Sequence, residues 1–223
     1  MKSLSDAPST TELDTRAKLL EASGPVFAAR GFDRATVREI CAAAGVNVAS
    51  VGYHFGDKLG LYRELIRQIR ESRQRQFPTP YASVDDDPSA SLARVVRTLM
   101  SRILAADPSG WESQLFMREM QNPTPVFEDI VVEYFKPLHD RLLQNITVLI
   151  NDPSVSDHVI QQLALSVVGQ CVHYKVGADA IKLLVPAQQR ELHFDVETIS
   201  RHITAVTLAA IRSDEVIRPE NLL

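Results

Sequence analysis

The sequence predicts an all-α protein of about nine helices, with a small N-terminal helix-turn-helix domain followed by a larger C-terminal helical bundle. Three observations lead there. Apolar residues recur at helical spacing over nearly the whole chain, no stretch alternates convincingly as a strand would, and Gly, Pro and capping residues cut the pattern into helix-length pieces. With 223 residues, 45% of them hydrophobic, the chain is long enough for one large or two modest domains with a real core.

Residues 1–11 are rich in Ser, Thr, Asp and Pro and read as a disordered arm. A first helix follows over about 12–30, with Leu19, Leu20, Ser23, Val26 and Phe27 on one face; Gly31 ends it, and Gly24-Pro25 predicts a local kink. Thr36 and Glu39 form a capping box that starts a short second helix to Ala44. Gly45 supplies a turn with positive φ, Asn47 caps a third helix ending near Phe55–Gly56, and Asp57 caps a fourth that runs to about Gln76. Pro78, Pro80, the acidic run Asp85–Asp87 and Pro88 break the pattern, which places a boundary at about residue 77, unless this is only a helix–helix loop. The expected division is therefore an arm 1–11, a helix-turn-helix domain 12–77 and a helical-bundle domain 78–223. Further helices are expected at about 89–106, 109–121, 125–150 bent at Pro137, 155–184 interruptible at Gly177, and 195–212.

Composition excludes several classes. No apolar run approaches the ~18 residues of a membrane span, and the N-terminus has neither an apolar signal core nor Arg-rich transit character, so a cytoplasmic location without membrane association is expected. Cys41 and Cys171 sit in apolar helical patterns and read as reduced core residues. Six histidines invite a metal, yet no two stand at i,i+4 and there is no Cys-x-x-Cys, so neither metal nor cofactor is expected. Nucleophile elbows, phosphate loops and dinucleotide fingerprints are missing, which argues against an enzyme. Net charge is −4, but residues 1–76 carry 12 Lys+Arg against 9 Asp+Glu, while residues 77–223 carry 12 against 19. The basic part is the one suited to meeting an anion, although chance variation of surface charge is an equal reading.

Two short helices joined by a Gly-containing turn behind an amphipathic first helix form a helix-turn-helix. Cys41 is small where the helices cross, and Ile40, Val46 and Val51 bury the joint. Val48, Ala49, Ser50, Gly52 and Tyr53 are left on or near the exposed face, on a helix that can enter a major groove. The residues Phe27, Gly31, Phe32, Thr36, Val37, Ile40, Ala43, Ala44, Gly45, Val46, His54, Phe55, Lys58, Leu61 and Tyr62 follow one another at the spacing of a known pattern. Over about residues 16–62 the chain resembles the DNA-binding domain of the TetR family of bacterial transcriptional repressors. The later text REMQNPTPVFEDIVVEYFKPLHDRL and SVVGQCVHYKVGADAIKLL is similar to a TetR subgroup with a CerR-type C-terminal domain.

The resemblance implies a homodimer whose last two helices form a four-helix interface, a double-stranded, palindromic DNA operator, and a cavity in the C-terminal domain for a small-molecule effector. Carried over residue by residue, phosphate contacts fall on Thr36, Tyr53, His54 and Lys58, with Arg16 and Arg38 as outlying candidates, and base-edge contacts on Val48, Ala49, Ser50 and Asn47. Gly52 departs from the family, where many relatives carry Tyr; it removes a phosphate anchor or lets the DNA backbone approach. The bland alternatives are a packing or capping role for His54 and a solvated Lys58.

For the effector, the candidates are Trp111, Phe116, Met117, Arg118, Met120, Phe135, His139, His173 and Tyr174, with plain bundle core as the alternative. Arg118 and Glu119 become informative if buried, because an unpaired buried charge is costly. The dimer stripes are Ile160, Leu163, Val167 and Cys171, then Ile199, Ile203, Val206 and Ala210; they would serve equally as core within one chain, but paired half-sites about one helical turn, ~34 Å, apart favour the dimer. The expected function is ligand-responsive repression, with an all-α enzyme or a protein-interaction module carrying a structural helix-turn-helix as the rival.

Overall fold

The computed structural model describes residues 10–81, 87–105, 107 and 110–218. The expected arm lies outside them up to residue 9, as does the acidic run at 85 and 86. Every regular element among the described residues is helical. The helices pack into two units, one comprising residues up to Ser72 together with Asp107–Val131, the other Arg73–Ala106 together with Val132 onward. This differs from a single cut at residue 77, because two later helices belong with the N-terminal ones.

In the first unit α1 (Thr10–Arg30) stays one helix through Gly24-Pro25, and Gly31, at φ +77°, ends it. The capping box at Thr36 opens α2 (Val37–Ala44), and Gly45 at φ +66° turns the chain into α3 (Ala49–Phe55). Asn47 Oδ1 accepts from the Ala49 N–H at 2.8 Å at the start of α3. Asp57 Oδ1 accepts from the Gly60 N–H at 2.7 Å and starts α4 (Lys58–Gln76). The core joins Leu19, Phe27, Ile40, Cys41, Val51, Leu61, Tyr62 and Leu65, all buried. Tyr62 lies edge-on to Phe27 with ring centroids 4.8 Å apart.

α6 (Trp111–Gln121) and the short α7 (Phe127–Ile130) complete this unit. The reason is local chemistry. The Trp111 indole rests on α1 at Gly24, where an added Cβ would stand 2.6 Å from the ring. Arg118 donates to the carbonyls of Ala28 and Ala29 at 2.7 and 3.1 Å, capping the C-terminal end of α1.

The second unit is built on α5 (Pro88–Leu104), α8 (Lys136–Ile150), α9 (Asp157–Val176) and α12 (Val196–Ile211), whose inward residues form one core from Leu92 to Ile211. Before α8 the chain winds as a π-helical segment over Val131–Phe135. Pro137 causes it: proline cannot donate to the carbonyl of Glu133, and the Gln74 side chain fills that acceptor at 3.0 Å. The expected bend thus takes the form of a widened turn.

The expected helix 155–184 breaks at Gly177 into α9 and α10 (Ala178–Leu184); α11 (Ala187–His193) and α13 (Asp214–Ile217) add to the expected nine. Neither α10, α11 nor α13 buries a residue, so no inward stripe announced the last two.

Candidate nucleic-acid interface

The face of α3 is set by helical phase. Val51 turns into the joint, while Asn47, Val48, Ala49, Gly52 and Tyr53 are exposed and Ser50 is half-buried. Tyr53 is 73% exposed and its ring stands edge-on to that of His54 at 4.8 Å. A Cβ built at Gly52 meets nothing within 4 Å, so the smooth stretch is open to an approaching surface. Thr36 is exposed, with its hydroxyl 2.9 Å from Glu39 Oε2, and Arg38 projects from the same turn. Hydrogen bonds from the Thr36 side chain and backbone, with Arg30 nearby, hold the Glu39 carboxyl below the usual range.

Two expected phosphate contacts have other work. The Lys58 ammonium points back under α1 and donates to the carbonyls of Phe32, Asp33 and Ala35 at 2.8, 3.3 and 3.2 Å, and it lies 4.5 Å from the Phe32 ring centroid. Its three donors clamp the turn between α1 and α2. Arg16 pairs with Glu64 and lies over the Phe55 ring at 5.4 Å.

The nine expected effector residues are not brought together in one unit. Trp111, Phe116, Met117, Arg118 and Met120 lie on α6 in the first unit, and Phe135, His139, His173 and Tyr174 lie in the second. The Arg118 guanidinium holds the end of α1, and its buried neighbour Glu119 accepts from Tyr62 Oη at 2.5 Å and from Thr124 N and Oγ1 at 3.2 and 3.1 Å. Burial and this carboxylate push the Tyr62 phenol well above its ordinary pKa. Met120 is exposed at the surface. His139 meets Gln161 at 3.1 Å, and Tyr174 lies edge-on to Phe194.

Of the two expected dimer stripes, most residues face the chain's own core. Leu163, Val167, Cys171, Ile199 and Ile203 are buried within the second unit's own core, and Ile160 and Ala210 pack against it. Burial raises the Cys171 thiol to about 12, so it is an inert packing group. The neighbouring phase faces outward: Leu165 and Gly169 on α9, Ala205, Val206 and Ala209 on α12.

The second unit also has a cleft of about 470 Å³, lined by Gln74, Pro78, Thr79, Pro80, Tyr81, Arg102, Pro137 and Arg141. Sequence reasoning missed it. The available signal was Arg102, a cation three and seven residues after Leu99 and Val95 on the apolar phase of α5. The first unit holds a cleft of about 370 Å³ between α1, α4 and the start of α6, where Trp111 forms part of the wall. No described helix is long and apolar enough to cross a membrane.

Comparison with known proteins agrees with this architecture. Residues 19–65 match the model of the tetR family of bacterial regulatory proteins, and residues 88–211 match that of the C-terminal domain of the HTH-type transcriptional dual regulator CecR, which corrects the CerR label. CecR of Shigella flexneri is 27% identical over 176 residues, covering 74% of this chain and 78% of that one. The repressor BepR of Brucella suis is 37% identical over 57 residues, 26% and 27% of the two chains. A tetR-family regulatory protein from Rhodococcus RHA1 has the same fold, with a TM-score of 0.59 at 17% identity over 91% of this chain and 97% of that one. The chain belongs to the TetR family of transcriptional regulators, with a helix-turn-helix DNA-binding domain and a CecR-type C-terminal domain.

Proposed function

We propose that the protein is a ligand-responsive, sequence-specific repressor that binds a palindromic operator as a homodimer and leaves it when a small molecule binds. The observation that carries this is the outward face of α3, where Val48, Ala49, Gly52 and Tyr53 are exposed while Val51 is buried against the rest of the helix-turn-helix. Base edges and thymine methyls are met by Asn47, Val48, Ala49 and Ser50, and phosphates by Thr36, Arg38, Tyr53 and His54. This face offers no Arg, Gln or Glu, so reading leans on methyl contacts, close approach at Gly52 and DNA shape. Binding to the DNA upstream of the protein's own gene, followed by gel shift across salt, tests the reading. Specific binding that falls steeply with salt is expected, and salt-independent or non-specific binding rejects it.

Dimerisation is assigned to the outward apolar faces of α9 and α12. Leu165→Glu with Val206→Glu should give a monomer in size-exclusion chromatography with light scattering, and lose operator affinity with it. The effector acts through α4, one unbroken helix whose first part packs with the DNA-reading helices and whose last turn belongs to the second unit. The Shigella relative is named a dual regulator, so activation is the second reading. Transcription from the upstream DNA with and without the protein separates the two.

A further inference from the structure

The cleft of the second unit contains a charge that the fold leaves unbalanced. Arg102 is only 5% exposed. Its Nε donates to the Phe77 carbonyl at 2.9 Å and its Nη2 to Thr79 Oγ1 at 3.0 Å, while its guanidinium lies over the Tyr134 ring at 5.1 Å. Its Nη1 is buried without a partner. Across the same cleft Arg141 donates Nη1 to Gln144 Oε1 at 2.5 Å and leaves its Nε buried and unpaired. Among the described residues neither guanidinium forms an ion pair. Arg73 adds a third guanidinium to the cluster, donating to the Arg102 carbonyl at 3.1 Å.

A buried cation with an empty donor is an expensive arrangement unless something supplies the missing acceptor. The geometry of an arginine fork suits an oxyanion, which can take two N–H donors at once. Beside the polar Gln74 and Thr79, the remaining walls are Pro78, Pro80, Pro137 and Tyr81, which are apolar or aromatic and suit a flat hydrocarbon body. At about 470 Å³ the cleft falls within the range of small-molecule sites, ~300–1,000 Å³.

We propose that this cleft is the effector site and that it takes a small aromatic oxyanion, a carboxylate or phosphate, whose charged end reaches Arg102 Nη1 and Arg141 Nε. The proposal rests on the ligand-responsive reading above and supplies its ligand class. Arg102 also holds Phe77 and Thr79, the residues that follow α4, so an occupant that fixes Arg102 fixes the segment leaving that helix.

Calorimetry and thermal shift on the full chain with benzoate, phenyl phosphate and the uncharged benzamide test this. Binding and stabilisation by at least one of the anions is expected, with benzamide inactive. Arg141→Gln should weaken anion binding by about tenfold or more, since a hydrogen bond to a charged group is lost. Arg102→Met should do the same, and Arg141, only partly buried, keeps the test sound if the Arg102 variant unfolds. Equal binding of benzamide, no binding of either anion, or unchanged affinity in Arg141→Gln overturns the proposal. Operator binding by the unliganded protein is measured alongside: its loss rejects the regulator reading, whereas intact operator binding without anion binding rejects this inference alone.

Discussion

Two sets of charged side chains, one in each unit, are satisfied to different degrees. In the first, three buried or half-buried charges are matched inside the unit: Glu119 takes the Tyr62 hydroxyl and two donors of Thr124, Arg118 takes two carbonyls, and Lys58 takes three. In the second, Arg102 and Arg141 keep buried donors with nothing to receive them. A closed network fixes geometry, whereas an open one stores affinity for a missing partner. The contrast teaches that matched charges hold the helices of the first unit to one another, whereas the unmatched guanidinium donors of the second unit are where an added acceptor would contribute stability.

Breaking the closed network should have the largest effect. Glu119 is 1% exposed, and Glu119→Ala strands the Tyr62 hydroxyl and the Thr124 donors in a dry site, at a cost of about 3 kcal/mol. Tyr62→Phe removes one bond and leaves Glu119 its Thr124 donors, so about 1–2 kcal/mol is expected. Urea unfolding of both variants checks the order. A smaller loss for Glu119→Ala than for Tyr62→Phe would mean that the network does not close around the carboxylate.

Next comes the seat of Trp111. Gly24→Ala places a methyl 2.6 Å from the indole and should destabilise by about 2 kcal/mol through overpacking. Trp111→Leu should largely relieve that cost, so the double variant is non-additive. Trp111 is the chain's single tryptophan, and its fluorescence reports the displacement directly.

The same contact shows what sequence could and could not reveal. Thr36-Glu39, Gly45 and the phase of Val51 are local signals, and each element they announce is present because capping and turn geometry depend on a few neighbouring residues. The placement of α6 depends instead on Gly24 meeting Trp111 across more than eighty residues, and no local pattern encodes that partnership. Helical periodicity also left two answers for α9 and α12: Leu163, Val167, Ile199 and Ile203 were legible as an apolar stripe, but whether the stripe met its own chain or another depended on α5 and α8 covering it. The cleft around Arg102 needed the three-dimensional fold, since its walls come from four separate stretches.

A direct measure of the contrast sets one arginine against another. Arg118→Met removes a guanidinium that satisfies two helix-end carbonyls and should cost about 1–2 kcal/mol. Arg102→Met loses two hydrogen bonds but also relieves a desolvated, unpaired charge, and its net change should stay within about 1 kcal/mol. Chemical denaturation without ligand decides. A loss above ~3 kcal/mol for Arg102→Met would show that its charge is already compensated in the free protein.

The smallest expected effect concerns the exposed rim of the closed network. Arg67 donates to Glu64 from Nε and Nη2 at 2.8 and 2.7 Å, and Arg16 closes on the same carboxylate from α1; together they hold Glu64 down to about 2. A folded-state pKa depressed in this way contributes stability that is fully present above the unfolded value, ~4.3, and lost as pH falls toward about 2. Arg16 and Arg67 are 36% and 44% exposed, so solvent screening reduces the contribution to about 1 kcal/mol. Unfolding free energies from urea titrations of the protein and of Glu64→Gln should therefore differ by that amount at pH 6 and converge as the pH drops through 4 toward 2. A difference constant over this window would mean that Glu64 acts through packing rather than charge, and that the first unit's complementarity ends at its buried groups.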